Sequence, residues 1–244
     1  TTPQDGVSGF DSSFLVFSAG SVSIGVVIVL MYLYQTRFGS LYLHIGVISS
    51  VFMAGLTVGA VFVRRLLVGS GKTRQMLLFV VIFVHTVVLA AICFWPAGQW
   101  THSAFAIALV FCGLCAGGYF PLAAGQLADL GLETGRAGSK LETADHLGAS
   151  VGGLLTSLAL VPVLGTKLTL FIFILLILAN VPSAVLGIYK PGKIYSFAAS
   201  ALGLRRLGYA MFGIGLSIIL CSNLLAEAGR RLTPSLPQRA AQSW

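Results

Sequence analysis

The sequence predicts an all-α protein, a polytopic transmembrane helical bundle of about seven helices. Hydrophobic residues make up 57% of the 244 residues and charged residues only 9%, whereas about a quarter of a soluble domain is charged. No Asp, Glu, Lys or Arg occurs between Arg74 and Asp129. That interval is long enough for two membrane crossings of about 20 residues each. The chain is therefore predicted to be an integral membrane protein.

Seven apolar runs are long enough to form helices, and they set the predicted domain organisation. A polar N-terminal segment (1–11) precedes a transmembrane domain (12–228), and a flexible, proline-containing C-terminal tail (229–244) follows it. Within the domain, residues 191–206 have apolar side chains at helical spacing with basic residues near the ends, which is typical of a helix lying on the membrane surface. The predicted membrane helices are 14–34, 41–63, 76–94, 103–127, 144–164, 168–189 and 207–226.

Basic residues cluster at the ends of the apolar runs. With the N-terminus inside, the inner loops carry ten of the 15 Lys and Arg residues, as the positive-inside rule requires. Trp95 and Trp100 flank the third connection, where interfacial anchors are expected. The net charge of +8 therefore indicates headgroup contact and not a nucleic-acid partner. We expect a multi-pass protein of the bacterial inner (cytoplasmic) membrane.

Pairs of glycines four residues apart are predicted to pack helices closely together. Gly55 and Gly59 lie in the second helix, and Gly148 and Gly152 lie in the fifth. Such small-xxx-small pairs let two helix backbones approach. Packing within one chain is favoured over a dimer contact.

Four short motifs follow one another in order over residues 41–189. They are Leu41-Tyr42 leading into Phe52-Met53-Ala54-Gly55-Leu56 and Gly59; Gly118-Tyr119-Phe120-Pro121-Leu122-Ala123; Asp145-xx-Gly148-Ala149-xx-Gly152-Gly153; and Leu160-Val161-Pro162-Val163-Leu164-Gly165. Taken together, these motifs resemble the membrane portion of the fused major-facilitator/spermidine-synthase-like proteins. The resemblance implies a helical bundle resembling half of a major-facilitator transporter, with helices one to three and four to six forming an inverted repeat.

The chain departs from this family in two ways. Family members carry a tyrosine before Ala-Ala-Asp, whereas this chain has Glu142-Thr143-Ala144-Asp145. The aminopropyltransferase domain that usually follows is also missing, and no Gly-rich loop follows a strand to hold a nucleoside cofactor. Polyamine synthesis by this chain alone is therefore not expected.

Acidic residues between the fourth and fifth helices form the first candidate site. Glu142, Asp145 and His146 are interpreted as a cation, proton or partner site at the inner mouth of the bundle. The alternative is structural: Asp145 would cap a helix that begins beside it and would pair with Lys140 or Arg136.

Two histidines inside apolar helices form the second candidate site. His44 and His85 suggest haem ligation, a quinone hydrogen bond or a proton step, although packed, hydrogen-bonded histidines are the simpler interpretation. Cys112 and Cys115 share a helix face and are interpreted as small core residues. No metal site and no cofactor are predicted.

No nucleophile–base pair is recognisable, so we do not expect an enzyme. The favoured function is a non-catalytic integral membrane subunit or scaffold that packs within a larger membrane protein complex. The expected partners are the lipid bilayer and other membrane protein subunits, or a second copy of the chain in a dimer. One alternative is a small transporter, possibly dimeric, for a cation or a polyamine-like solute. A second alternative is a redox subunit that contacts quinone or haem.

Overall fold

A computed structural model of the chain describes residues 3–39, 44–67, 71–95 and 99–186. The predicted helix 207–226, the predicted surface helix 191–206 and the C-terminal tail lie outside these residues. Every regular element in the described part is helical, which confirms the all-α class. The elements are α1 (Pro3–Phe38), α2 (Ile45–Leu66), α3 (Gly71–Phe94), α4 (His102–Asp129), α5 (Thr134–Leu155), a π-helix (Thr156–Leu164), α6 (Gly165–Leu178) and α7 (Val181–Leu186).

Five helical segments are long and apolar enough to cross a membrane, in agreement with an integral membrane protein. They are Gly9–Phe38, Ile45–Leu66, Thr73–Phe94, His102–Asp129 and the continuous run Thr134–Leu178. Several predicted boundaries differ from the structure, including the end of the sixth helix, since α6 ends at Leu178 and not at 189. Helix α1 begins at Pro3 and includes the segment predicted to precede it. Helix α5 begins at Thr134, ten residues before the predicted start, because the extended Glu133 and the left-handed Gly131 (φ 75°) set its beginning there.

The chain reverses direction at Gly165, inside the longest helical run. Gly165 has a φ of 77°, which favours glycine, and Thr156 before it and Phe173 after it both contact Gly25 of α1. Prolines account for the irregular helix on both sides. Pro162 lies in the π-helix and Pro182 follows the break between α6 and α7, because proline removes a backbone donor and clashes with the preceding turn.

The two ends of the bundle differ in chemistry. The start of α1 lies beside the end of α4, since Ser12 Oγ donates to Gln126 Oε1 at 3.0 Å. With Arg64, Arg65, Arg74, Arg136 and Lys140 on the neighbouring helix termini, this is called the basic end. The other end, where α1 finishes and α2 and α4 begin, carries Tyr34, Phe38, His44, Trp100 and His102 and is called the aromatic end.

Helices α1 and α4 form the centre of the bundle. In the most apolar 18-residue stretch of each helix, 67% of α1 and 61% of α4 is buried, whereas only 22% of α2 is buried. Helix α1 packs mainly on α5, and α4 packs mainly on α2, while α3 packs on both α4 and α6. Val22, Val26, Leu122 and Ala123 have no exposed surface. The described core is therefore tightly packed at these positions, and it also buries polar side chains, among them Ser18, His85, Thr156 and Asn180.

The crossings α2–α4 and α1–α5 repeat the same contacts in the same register. A Cβ built on Gly55 or Gly59 would overlap the backbone of Val110 or Leu114, and one built on Gly148 or Gly152 would overlap the backbone of Phe17 or Ser21. Each residue of the first set lies 93 positions from its counterpart: 55 and 148, 59 and 152, 17 and 110, 21 and 114. The two helix pairs therefore pack in the same way, through glycines at equivalent positions.

Candidate functional site

The α1–α5 crossing places Asp145 against the middle of the bundle. Gly148 and Gly152 of α5, two of the predicted packing glycines, pack against the backbone of α1. There Ser21 Oγ donates to the Gly148 carbonyl at 2.9 Å. Asp145 lies about one turn before Gly148 on α5 and faces Gly20 of α1. A Cβ on Gly20 would lie 2.6 Å from Asp145 Oδ1 and 2.7 Å from the Asp145 carbonyl oxygen. The absence of a side chain at Gly20 therefore makes room for the carboxylate of Asp145.

Asp145 is a half-buried carboxylate whose side chain has neither a hydrogen bond nor an ion pair to any residue in the described part of the chain. The predicted capping role is wrong, because α5 begins at Thr134 and Asp145 lies three turns inside it. Nor does Asp145 pair with Arg136, whose Nε lies 3.9 Å from Glu133 Oε2. An ionisable side chain without a partner in a membrane helix is costly, and such residues commonly mark functional positions.

The structure separates the three residues predicted to act together. Glu142 and His146 are exposed on α5, with Glu142 Oε1 3.8 Å from His146 Nε2. Asp145 instead contacts α1. The predicted inner-mouth cluster is therefore one half-buried carboxylate next to an exposed, weak ion pair.

Comparison of the two equivalent crossings isolates Asp145 further. Its counterpart 93 positions earlier is Phe52, which is only 3% exposed. The Phe52 carbonyl contacts Gly113 as the Asp145 carbonyl contacts Gly20. Since one crossing is built with a phenylalanine here, the helix packing does not require a carboxylate.

His85 lies in the core between α3 and α4. It is 1% exposed, and its Nδ1 lies 3.2 Å from the hydroxyl oxygen of Tyr119, itself 1% exposed. Burial of a polar ring is tolerated when it is hydrogen-bonded. This arrangement corresponds to the packed, hydrogen-bonded histidine, the simpler of the two interpretations.

His44 lies far from His85, at the aromatic end, in a cluster that sequence reasoning missed. The His44 ring centroid lies 5.3 Å from that of Tyr34 and 6.0 Å from that of His102. His102 stacks on Phe38 at 3.9 Å and shares a 2.8 Å hydrogen bond between its Nδ1 and the Tyr34 hydroxyl. The cluster joins the termini of three helices, and the structure does not bring His44 and His85 together.

Arg74, at the basic end, was also missed as a structural residue. Its place in the sequence indicates only an inner-loop charge, yet its side chain is 14% exposed. Its Nη1 donates to the Gly125 carbonyl at 2.7 Å and also contacts the Asp129 carboxylate. A Cβ on Gly125 would lie 2.6 Å from Arg74 Nε. The pairing of a first-turn arginine with a last-turn aspartate of the next helix is the only signal that the sequence offers for this contact.

Two apolar features complete the described bundle. Cys112 and Cys115 are buried, free thiols of α4, placed as expected for small core residues. An apolar cleft of about 290 Å³ opens between α3 and α4 near Trp95 and Trp100. Its lining supplies no polar group for catalysis, and no group of three or more potential metal ligands occurs within the described ranges.

Comparison of the chain with protein-family models, with curated proteins and with solved structures finds no match. The residues and their geometry therefore carry the functional argument.

Proposed function

We propose that this chain is a non-catalytic integral membrane subunit that packs within a larger membrane protein complex. The observation that carries this proposal is the tight packing of α1 and α4 in the described core. Val22 and Val26 of α1 and Leu122 and Ala123 of α4 have no exposed surface. A transporter works through a water-accessible site between its repeats, whereas the buried His85 and Asn180 here are hydrogen-bonded to Tyr119 and Ser18 within the core, as in a subunit whose role is packing.

The outer surface of the bundle supports the same proposal. Helix α2 is the least buried of the five membrane segments, and it exposes side chains such as Met53, Val58 and Phe62, each more than half exposed. Lipid covers such a face in a lone protein, and the apolar face of a neighbouring subunit covers it in a complex. A function in assembly makes use of this large, featureless apolar surface.

Relation to half of a major-facilitator transporter is part of the proposal. In an inverted repeat of three helices, α1 corresponds to α4, α2 to α5 and α3 to α6. The contact α1–α5 then corresponds to α4–α2, and α3–α4 corresponds to α6–α1, all of which occur. The constant separation of 93 positions between equivalent contact residues adds support.

The test is mild extraction of the protein from its own membrane, followed by native mass spectrometry and an absorption spectrum of the same sample. We expect a larger assembly that contains other membrane subunits. A photo-crosslinking residue at Phe62 is expected to give discrete protein adducts, while the same residue at the buried Phe105 serves as the matched control and gives none. Recovery of only a monomer or a homodimer, with lipid adducts at position 62, would overturn the proposal.

Asp145 favours a second candidate, a dimeric half-transporter for a cation or a polyamine-like solute. Its carboxylate is half-buried and has no hydrogen bond or ion pair to any described residue, at a position where the equivalent crossing has Phe52. For this candidate, Asp145→Asn abolishes uptake into proteoliposomes, and Glu142→Gln, which changes an exposed carboxylate of the same helix, leaves uptake intact. Uptake unchanged by Asp145→Asn rejects it.

A further inference from the structure

A basic face on the first turns of α5 forms a shallow surface depression. The depression has a volume of about 500 Å³ and is lined by Gly135, Arg136, Ser139, Lys140 and Thr143. The last four residues, at positions i, i+3, i+4 and i+7, share one side of an α-helix. These four residues are called the basic face.

The acidic residues within α5, Glu142 and Asp145, do not belong to the basic face. Glu142 and His146, which pair with each other, are offset from it by the helical period. Glu133 is the only acidic group paired with the basic face among the described residues, and its 3.9 Å contact with Arg136 joins two side chains that are about four-fifths exposed. An exposed pair of this kind is worth little and opens readily.

The basic face has hydrogen-bond donors available. Neither the Lys140 ammonium nor the Ser139 hydroxyl makes a hydrogen bond or ion pair to another described residue, while the Thr143 hydroxyl donates to the Ser139 carbonyl. Gly135, which also lines the depression, has nothing within 4 Å of where a side chain would begin. An anionic group can therefore approach the helix surface between two cations.

The basic face begins at the depth of the lipid headgroups with Thr143, and its two long basic side chains start just beyond that layer. The first large exposed apolar side chain of α5 is Leu147, which is 56% exposed. At a rise of about 1.5 Å per residue, Thr143, Lys140 and Arg136 lie roughly 6, 10 and 16 Å beyond it along the helix. The headgroup layer adds about 5–8 Å to each side of the hydrocarbon core, and long basic side chains bend toward it.

We propose that the basic face of α5 binds the phosphate group of an anionic phospholipid. Arg136 and Lys140 supply the charge, Ser139 supplies a hydroxyl donor, and Gly135, which lines the depression, leaves room for the phosphate oxygens. The site does not depend on the function proposed above, since it lies at the start of α5, where the Lys140 ammonium also lies next to Gly9 of α1.

The experiment measures phosphatidylglycerol retained by the purified full chain in native mass spectrometry, with phosphatidylcholine, a zwitterionic lipid without net charge, as the competitor. The test variant is Arg136→Gln/Lys140→Gln. The matched control is Arg64→Gln/Arg65→Gln, which removes the same charge from two exposed arginines at the same end of the bundle. Because Arg136 and Lys140 would contact the phosphate directly, whereas Arg64 and Arg65 attract it only through the general surface charge, we expect roughly a tenfold or greater loss of affinity in the test variant and a clearly smaller loss in the control.

Further arms identify the source of the phosphate and check the fold. Inorganic phosphate that displaces phosphatidylglycerol supports the phosphate chemistry, and a thermal stabilisation by inorganic phosphate equal to that by the lipid assigns the site to a soluble phosphate. Arg136→Lys is expected to keep most of the binding, and unchanged gel-filtration profiles show that the variants fold. Equal losses in the test and control variants, or equal retention of phosphatidylcholine, would overturn the proposal.

Discussion

Replacement of Gly148 by alanine tests the α1–α5 crossing most directly. A Cβ at this position would lie 2.8 Å from the carbonyl carbon and 2.9 Å from the Cα of Phe17, and closer still to its carbonyl oxygen. These are backbone atoms, so no rotamer change can relieve the overlap. The two helix axes must separate, and separation also weakens the hydrogen bond from Ser21 Oγ to the Gly148 carbonyl.

The magnitude follows from these contacts. Overpacking costs about 1–3 kcal/mol, and loss of a hydrogen bond costs about 1 kcal/mol. The matched control is Gly138→Ala on the same helix, because nothing lies within 4 Å of the Gly138 side-chain position. Both variants gain up to about 1 kcal/mol of helix propensity. The control should therefore be slightly stabilised, and we expect the free energies of unfolding of the two variants to differ by about 2–4 kcal/mol.

The assay is thermal unfolding of the detergent-solubilised protein, followed by circular dichroism. For a chain of this size, about 1 kcal/mol shifts the midpoint by roughly 2–4 °C, so the two variants should melt at clearly different temperatures. Gly55→Ala, the equivalent change in the α2–α4 crossing, should lower the midpoint by a similar amount. If Gly148→Ala and Gly138→Ala unfold at the same midpoint temperature, the helices do not approach as closely as described and the equivalence of the two crossings fails.

Three other changes test the polar residues of the bundle. His85→Phe and Tyr119→Phe should each lower the free energy of unfolding by about 1 kcal/mol, and the double variant should lose no more than either single one; additive losses would show that the two side chains do not interact. Asp145→Leu should raise the free energy of unfolding by about 1 kcal/mol, because it removes a half-buried carboxylate that lacks a described partner; a lower melting midpoint would contradict this. Arg74→Gln should lower it by about 1–3 kcal/mol, since the Gly125 carbonyl loses its charged donor, while the exposed Arg65→Gln should change it by less than about 0.5 kcal/mol; equal effects of the two arginine changes would refute the buried contact.

Sequence reasoning was most reliable for the helices that cross the membrane. The predicted helices 41–63, 76–94 and 103–127 agree closely with α2, α3 and α4, because a continuous apolar run must satisfy its backbone groups as a helix in lipid. The start of α5 was placed too late because the run 134–143 is polar. A helix that emerges from the hydrocarbon needs no apolar side chains there, so hydrophobicity could not locate its end.

The candidate sites were only partly predictable. Gly148 and Gly152 were recognisable as packing residues from their spacing, and in the structure they pack against the backbone of α1. The grouping of Glu142, Asp145 and His146 rested on their closeness in sequence, whereas a helix turns neighbouring residues toward different surroundings. His102 was not recognised because its partners, Tyr34 and Phe38, are more than 60 residues away in the sequence.

The sequence by itself determined that this protein is a helical membrane bundle with a basic end, since hydrocarbon length, backbone satisfaction and the placement of charge act locally along the chain. Only the tertiary structure decided that Asp145 contacts Gly20, that Arg74 lies over Gly125, and that two helix crossings share one register. These features depend on which helices meet and at what height. That choice is made by backbone-to-backbone packing between distant segments, where a single side chain of the wrong size keeps two helices apart.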